Sequence, residues 1–265
     1  MFGYSLAGLV VGLAVGATGV GGGSLMTPIL ILFYGINPAI AVGTDLLYAS
    51  ISKAFAVALH GKNGSVDWKI VGWLSVGSVP AALLTVWFIR EVGPGPELDK
   101  IIKLTLSIAV VVTATGTLLR RQLNALTKSP RFAGLRNLSE RAQRISTVVA
   151  GVALGAVVTI SSVGAGVIGM MVLLLLYPKH SAIKLVGSDL AHAVIITGIA
   201  GLGHASLCTV NYELLLSLLI GALPGIYLGT RIGFRLSDQA LRPVIAGLLL
   251  FVGAGMLSKA LAAGF

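Results

Sequence analysis

The chain is a succession of apolar runs, at about residues 2–34, 38–60, 69–89, 98–119, 146–177, 184–204, 212–232 and 241–262. Each is long enough, as an α-helix, to cross a hydrocarbon layer of about 30 Å. Inside lipid every backbone N–H and C=O must find a partner within the protein, which leaves helices or a closed barrel. The runs lack the strict alternation of barrel strands, so they predict helices. Only 11% of the residues are charged, against about 25% in a soluble domain. The chain has too little polar cover for a water-soluble globule and, at 56% hydrophobic, too much apolar character for disorder. The expected fold class is an all-α polytopic membrane protein whose solvent is the lipid bilayer.

Two runs are too long for one simple span. Residues 2–34 and 146–177 each carry a soft centre: TGVGGGS over 18–24 and SSVGAG over 161–166. Glycine clusters weaken a helix and permit a break. The chain also repeats itself. A shift of 144 residues lays Gly43, Thr44, Asp45 and Leu46 on Gly187, Ser188, Asp189 and Leu190. The same shift pairs His60 with His204, Gly77 with Gly221 and Pro80 with Pro224, and a shift of 143 aligns the two soft centres. The matched types are those that are costly or special in lipid. The organisation read from this is a transmembrane repeat over 1–119, a basic connector over 120–145, and a second transmembrane repeat over 146–265. Internal repeats of this kind are common in secondary transporters.

The net charge of +10 points, in a membrane protein, to basic cytoplasmic loops rather than to nucleic acid, and no nucleic-acid partner is expected. If every run crosses once, Lys and Arg divide 10 to 8 between the two sides. If the two long runs are broken hairpins that return to their own side, one side collects Lys62, Lys69, seven connector charges, Lys179, Lys184, Arg231, Arg235 and Arg242. The division is then 14 to 4, which obeys the positive-inside rule. The hairpin reading predicts two inverted repeats, each with a broken glycine-rich helix pair plus three transmembrane helices. The connector is expected in the cytoplasm, with a short interfacial helix over 135–145. The N-terminus lacks a positive n-region and a cleavage pattern and reads as part of the mature protein.

The chemistry-bearing residues follow from the repeat. Asp45 and Asp189 sit about two turns into hydrophobic helices, the first capped by Asn37 and Pro38. An intramembrane carboxylate is a functional-site candidate by default. Each either carries protons and tunes a binding site, with His192 one turn from Asp189, or braces the ends of broken helices. The breaks would aim free N–H groups and positive helix ends inward, a setting for anions. This makes Thr18, Gly21, Gly22, Gly23, Ser24, Ser161, Ser162, Gly164 and Gly166 candidate substrate-binding residues, with the hydroxyls of Thr44 and Ser188 as further donors. The competing reading of the glycines is close helix packing. GVGGGS has no preceding strand and no P-loop lysine, so it is not a nucleotide loop.

Lys53 either snorkels to the interface or contacts the anion; its repeat equivalent, Thr197, gives no support by symmetry. His60 and His204 are expected at helix ends. The four histidines lack metal-ligand spacing. The single cysteine, Cys208, excludes an intrachain disulfide and a cysteine-rich metal site. Neither metal nor cofactor is expected. Trp68, Trp73, Trp87 and Tyr212 read as interfacial belt residues, and Pro80 and Pro224 as mid-helix kinks.

GLAVGATGVGGGSLMTPILILFYGINPAIAVGTDLLYAS, with its partial copy GVALGAVVTISSVGAGVIGMMVLLLLYPKHSAIKLVGSDLAHA, resembles the sulfite exporter TauE/SafE family over nearly the whole chain. The resemblance implies a multi-pass permease of the cell inner membrane that moves small sulfur-containing anions of the sulfite or organosulfonate class. SSVGAG has fewer glycines than GVGGGS, so the two halves are not expected to be functionally equal. The resulting expectation is a secondary transporter, with the anion between the repeats at the breaks and transport coupled to protons. An anion channel, or a transporter of another small organic anion, is the alternative. No enzyme activity is expected, because no catalytic constellation accompanies the buried acids. A homodimer is expected on general grounds only.

Overall fold

The computed structural model describes residues 2–18, 23–60, 66–126, 138–233 and, singly, 247, 253 and 255. Its elements are α1 (Phe2–Thr18), α2 (Gly23–Tyr34), α3 (Pro38–His60), α4 (Trp68–Val92), α5 (Pro96–Leu126), α6 (Glu140–Ser161), α7 (Val167–Leu176), α8 (Ala182–Ser206) and α9 (Tyr212–Gly233). Among the described residues no strand occurs. Among the described residues six stretches are long and apolar enough to cross a membrane: Pro38–Ala58, Trp68–Val92, Pro96–Leu119, Glu140–Ser161, Ile183–Ser206 and Tyr212–Arg231. The protein is therefore a multi-pass helical membrane protein. Its outward faces carry Leu6, Val10, Leu84, Phe88, Val149, Leu202 and Ile220, all exposed. That distribution is stable only where the surroundings are lipid.

Local chemistry sets the helix ends. Asn37 Oδ1 accepts from Ala39 N at 2.9 Å ahead of Pro38, as expected for α3. Asp67 caps α4, Ser139 caps α6 and Ser181 caps α8, each through a side-chain oxygen. Asn211 Oδ1 does the same for α9, accepting from Leu214 N at 2.9 Å. Such caps satisfy N–H groups that have no partner inside the helix. Residues 135–137 lie outside the described residues; the segment 140–145, expected to belong to a short interfacial helix over 135–145, is the beginning of α6 itself. The reason is local: Ser139 and Glu140 give α6 an N-terminus before the apolar run begins. Both α4 and α9 run through Pro80 and Pro224.

Both long runs fold back on themselves. The end of α2 meets the start of α1, where Tyr34 Oη donates to Gly3 O at 2.7 Å and the rings of Tyr4 and Tyr34 pack at 4.9 Å. The end of α7 meets the start of α6, where Gln143 Nε2 donates to Leu176 O at 2.5 Å and Thr147 Oγ1 lies 2.8 Å from Tyr177 Oη. The second break falls after Ser161, where the sequence put it; α1 ends at Thr18 and α2 begins at Gly23, and residues 19–22 between them lie outside the described residues.

The hairpins pack across the repeats rather than within them. α1 lies along α9, and α4 lies along α6. The contact surfaces are made of glycine. Gly8, Gly12 and Gly16 of α1 face Leu218, Ala222 and Ile226 of α9 so closely that a Cβ at any of them would collide with backbone. Gly221, Gly225 and Gly229 of α9 return the contact onto Ser5, Leu9 and Leu13. Gly77, Gly151 and Gly155 build the equivalent seam between α4 and α6. In both seams rising numbers meet rising numbers, so the paired helices are parallel. Without a hydrophobic drive between helices in lipid, this close approach is what supplies dispersion contact. Much of the glycine excess thus serves packing. The four-residue spacing of Gly8, Gly12 and Gly16 was a signal for it.

Candidate functional site

α3 and α8, the two helices that carry the repeated aspartates, pack on each other. Asp45 is fully buried. Its Oδ2 accepts from Thr27 N at 3.2 Å, Thr27 Oγ1 at 2.5 Å and Ser162 Oγ at 3.0 Å. Its Oδ1 is buried with no hydrogen-bond partner among the described residues. Thr27 lies in the opening turns of α2. Asp45 therefore places a resident carboxylate against the positive end of the broken helix, where an anion is favoured. Asp189, also buried, does the corresponding thing in the second repeat. It packs against Gly169 in the first turn of α7, where an added Cβ would collide with Asp189 Oδ1. The sequence suggested helix ends open to substrate; the structure sets one of the protein's own carboxylates against each.

The second break is bound to the first repeat at two points. Ser162, in the left-handed region at φ 58°, reaches Asp45. Lys53 Nζ donates to Ala165 O at 2.9 Å. Lys53 is 1% exposed, so it does not snorkel to the interface. Its backbone position lies too deep in α3, and the break supplies a carbonyl within reach. Gly164 and Gly166 also have positive φ, 115° and 128°, conformations that glycine adopts without penalty. Ser161 stays within the break, donating to Val157 O and accepting from Val163 N.

The remaining candidates are dispersed. His192 Nε2 lies 2.8 Å from Ser78 Oγ, tying α8 to α4, and His192 feels the charge of Lys53. His204, in the last turn of α8 but fully buried, is held at both ring nitrogens, by Thr159 O at 3.0 Å and Thr209 Oγ1 at 2.9 Å. Thr44 and Ser188 are not at the breaks. Thr44 Oγ1 accepts from Asn211 N at 3.0 Å, and Ser188 Oγ accepts from Asp67 N at 2.8 Å. Asn211 is the repeat equivalent of Asp67, so the two contacts are one device used twice, each pinning a helix start of one repeat to the aspartate helix of the other. Gly21 and Gly22 lie outside the described residues. So do the side chains of Thr18, Ser24 and His60; Gly23 opens α2. Among the described residues no group of His, Cys, Asp and Glu could hold a metal ion.

Sequence reasoning missed one charged cluster. Asp67 Oδ2 lies 3.2 Å from Lys184 Nζ and 3.6 Å from His180 Nε2. Burial alone would raise the Asp67 carboxyl, but Lys184 and the amides of Lys69 and Ile70 outweigh it and hold it below the usual carboxylate range. The signal was an acid immediately before a helix start in one repeat and a lysine at the start of the aspartate helix in the other.

The chain matches the family described as sulfite exporter TauE/SafE over residues 4–256. It is 36% identical to a probable membrane transporter protein, YjnA, of Bacillus subtilis over 250 residues, 94% of this chain and 96% of that one. It is 26% identical to a second Bacillus subtilis probable membrane transporter protein, YdhB, over 257 residues, 91% and 96% of the two chains. A probable membrane transporter protein of Xylella fastidiosa is 26% identical over 235 residues, 87% and 84% of the two chains. No solved structure matches. Six apolar helices long enough to span, buried carboxylates at paired helix breaks and a match over nearly the whole chain converge: the protein is a membrane transporter of the sulfite exporter TauE/SafE family.

Proposed function

We propose that the protein is a secondary transporter of small sulfur-containing oxyanions, of the sulfite or organosulfonate class, bound between two inverted repeats at the glycine-rich breaks and moved together with a proton. The observation that carries this reading is the buried set of Asp45, Lys53 and Ser162 joining α3 to the second break. With both aspartates ionised, Asp45, Asp189 and Lys53 sum to one negative charge, and an entering anion would be repelled. A proton on one aspartate removes that obstacle, so anion and proton enter more favourably together than apart. The candidate ligands are Lys53, the Ser161–Gly166 break and the GVGGGS break; Asp45, Asp189 and His192 tune the site or carry the proton. The two tied hydroxyls, Thr44 and Ser188, act by holding the repeats in register.

Inversion of the repeats is supported by the ion pair of Asp67 with Lys184. If both long runs crossed once, these residues would face opposite sides of the membrane. Parallel seams between α1 and α9 and between α4 and α6, taken with the two hairpins, agree. Cysteines placed at residues 36 and 64 are expected to label from opposite sides; labelling from one side sinks this topology.

The functional test is uptake into proteoliposomes of sulfite, thiosulfate, sulfoacetate, taurine and sulfate, with and without an imposed pH gradient. Saturable uptake of sulfite or sulfoacetate, increased by the gradient, is the expected result. Flux that does not saturate would indicate an anion channel. Equal, negligible flux for the whole panel defeats the anion reading.

A further inference from the structure

The repeat duplicates the buried acids but not the buried base. Lys53 has three N–H donors, and its hydrogen bond to Ala165 O is the one it makes among the described residues. Asp45, Asp189 and His192 all interact with it electrostatically. At the equivalent position of α8, Thr197 turns its hydroxyl back to Ala193 O at 2.7 Å, so the second aspartate helix offers no cation at that depth. Ala165 O offers this ammonium a carbonyl dipole, whereas an oxyanion would offer it a full negative charge as acceptor.

Its geometry adds a second consequence. Ser162 and Ala165 flank Gly164 in a break whose backbone is not held as regular helix. Each of the two is tied to α3, Ser162 through the carboxylate of Asp45 and Ala165 through the ammonium of Lys53. The two ties have opposite charge and therefore answer to opposite ligands. A proton on Asp45 turns the Ser162 bond from charge-assisted to neutral, and an anion competes with Ala165 O for Lys53.

We propose that Lys53 Nζ is the charged contact of the transported oxyanion, at a single site beside the second break, and that the anion, by taking this ammonium from Ala165 O, frees that break from α3. The proposal rests on the anion-transport reading above and adds to it where the anion sits and how its arrival is felt. The break is fully released only when anion and proton are both aboard, which ties the movement of one to the movement of the other.

The test uses the full chain in lipid nanodiscs. Binding of radiolabelled sulfite is measured alongside amide hydrogen exchange of peptides covering 160–170. Lys53→Ala is expected to weaken sulfite binding at least about tenfold and to raise exchange at the break without ligand. Lys53→Arg, which keeps the charge, is expected to bind sulfite within about threefold of wild type. Wild-type exchange at the break is expected to rise on adding sulfite, and that response is expected to vanish in Lys53→Ala. Should Lys53→Ala fail to give a monodisperse protein, Lys53→Gln against Lys53→Arg reads the same loss of charge. Sulfite binding unchanged in the uncharged variants overturns the proposal while leaving the anion reading intact. Break exchange indifferent to bound sulfite overturns the release of the break. A wild-type chain that binds neither sulfite nor sulfoacetate overturns both.

Discussion

The two ends of the molecule are built from one device, used twice and finished differently. At one end Thr44 of α3 holds the backbone N–H of Asn211; at the other Ser188 of α8 holds the backbone N–H of Asp67. The Asn211 end relies on neutral hydrogen bonds, with Thr209 and His204 alongside. The Asp67 end adds an ion pair to Lys184 and a contact to His180. The centre shows the same contrast. Asp45 and Asp189 are repeated, whereas Lys53 stands opposite Thr197. What the repeat preserves is the frame: seams, pins and carboxylates at broken helices. What it lets diverge is charge, and charge is what a transporter needs to tell one side, or one ligand, from another.

The largest effect expected is at the centre. Asp45→Ala leaves Thr27 N, Thr27 Oγ1 and Ser162 Oγ without their shared acceptor and should cost about 2–4 kcal/mol of stability, with flux falling to background; thermal unfolding and proteoliposome uptake read the two separately. Asp45→Asn keeps an accepting oxygen, so the fold should survive while the response to a pH gradient disappears. Gradient-driven accumulation that persists in Asp45→Asn but not in Asp189→Asn would transfer the proton to the second carboxylate.

The seams come next. Gly77→Ala and Gly221→Ala both drive a Cβ into backbone and should each destabilise by about 1–3 kcal/mol. Gly72, on the same helix as Gly77 but with open space around it, should tolerate alanine and gain about 0.5–1 kcal/mol. Unequal losses at Gly77 and Gly221 would show that the two seams are not energetically equivalent.

The pins should be weaker and matched. Thr44→Ala and Ser188→Ala should each cost about 1 kcal/mol; a clear inequality in thermal unfolding would mean that the ion pair beside Ser188 changes how much that hydroxyl contributes. The smallest effect is expected for Asp67→Asn, which makes the charged end resemble the neutral one. The Asp67 carboxyl is depressed in the folded protein, so its stabilising contribution, about 0.5–1 kcal/mol for a partly exposed pair, is present above the ordinary carboxylate range and is lost as pH falls through the depressed value. Wild type and Asp67→Asn should therefore differ near neutral pH and converge in acid. A difference that persists in acid would point to the cap geometry rather than the charge.

Much of the frame was legible in the order of residues. Run lengths announced the helices, and Asn37 with Pro38 announced the start of α3. The glycine breaks announced the hairpins once the uneven spread of lysine and arginine was counted. The site was only half legible. Asp45 and Asp189 stood out because an acid in a hydrophobic helix is costly wherever it points. Thr44 and Ser188 stood beside them in sequence and looked like site hydroxyls, yet a neighbour on a helix points about 100° away, and both reach the other repeat's helix starts instead.

Sequence alone determined that this chain would live in lipid, as helices, and that the second of its long runs would break after Ser161. Those outcomes depend on hydrophobicity, glycine content and spacing along the chain, which are local quantities. Which groups meet was decided only in three dimensions. Lys53 and Ala165 are 112 residues apart and Ser162 and Asp45 are 117 apart, and no local pattern encodes such pairs. They exist because glycine seams let helices of different repeats approach until polar groups that water cannot reach must satisfy one another.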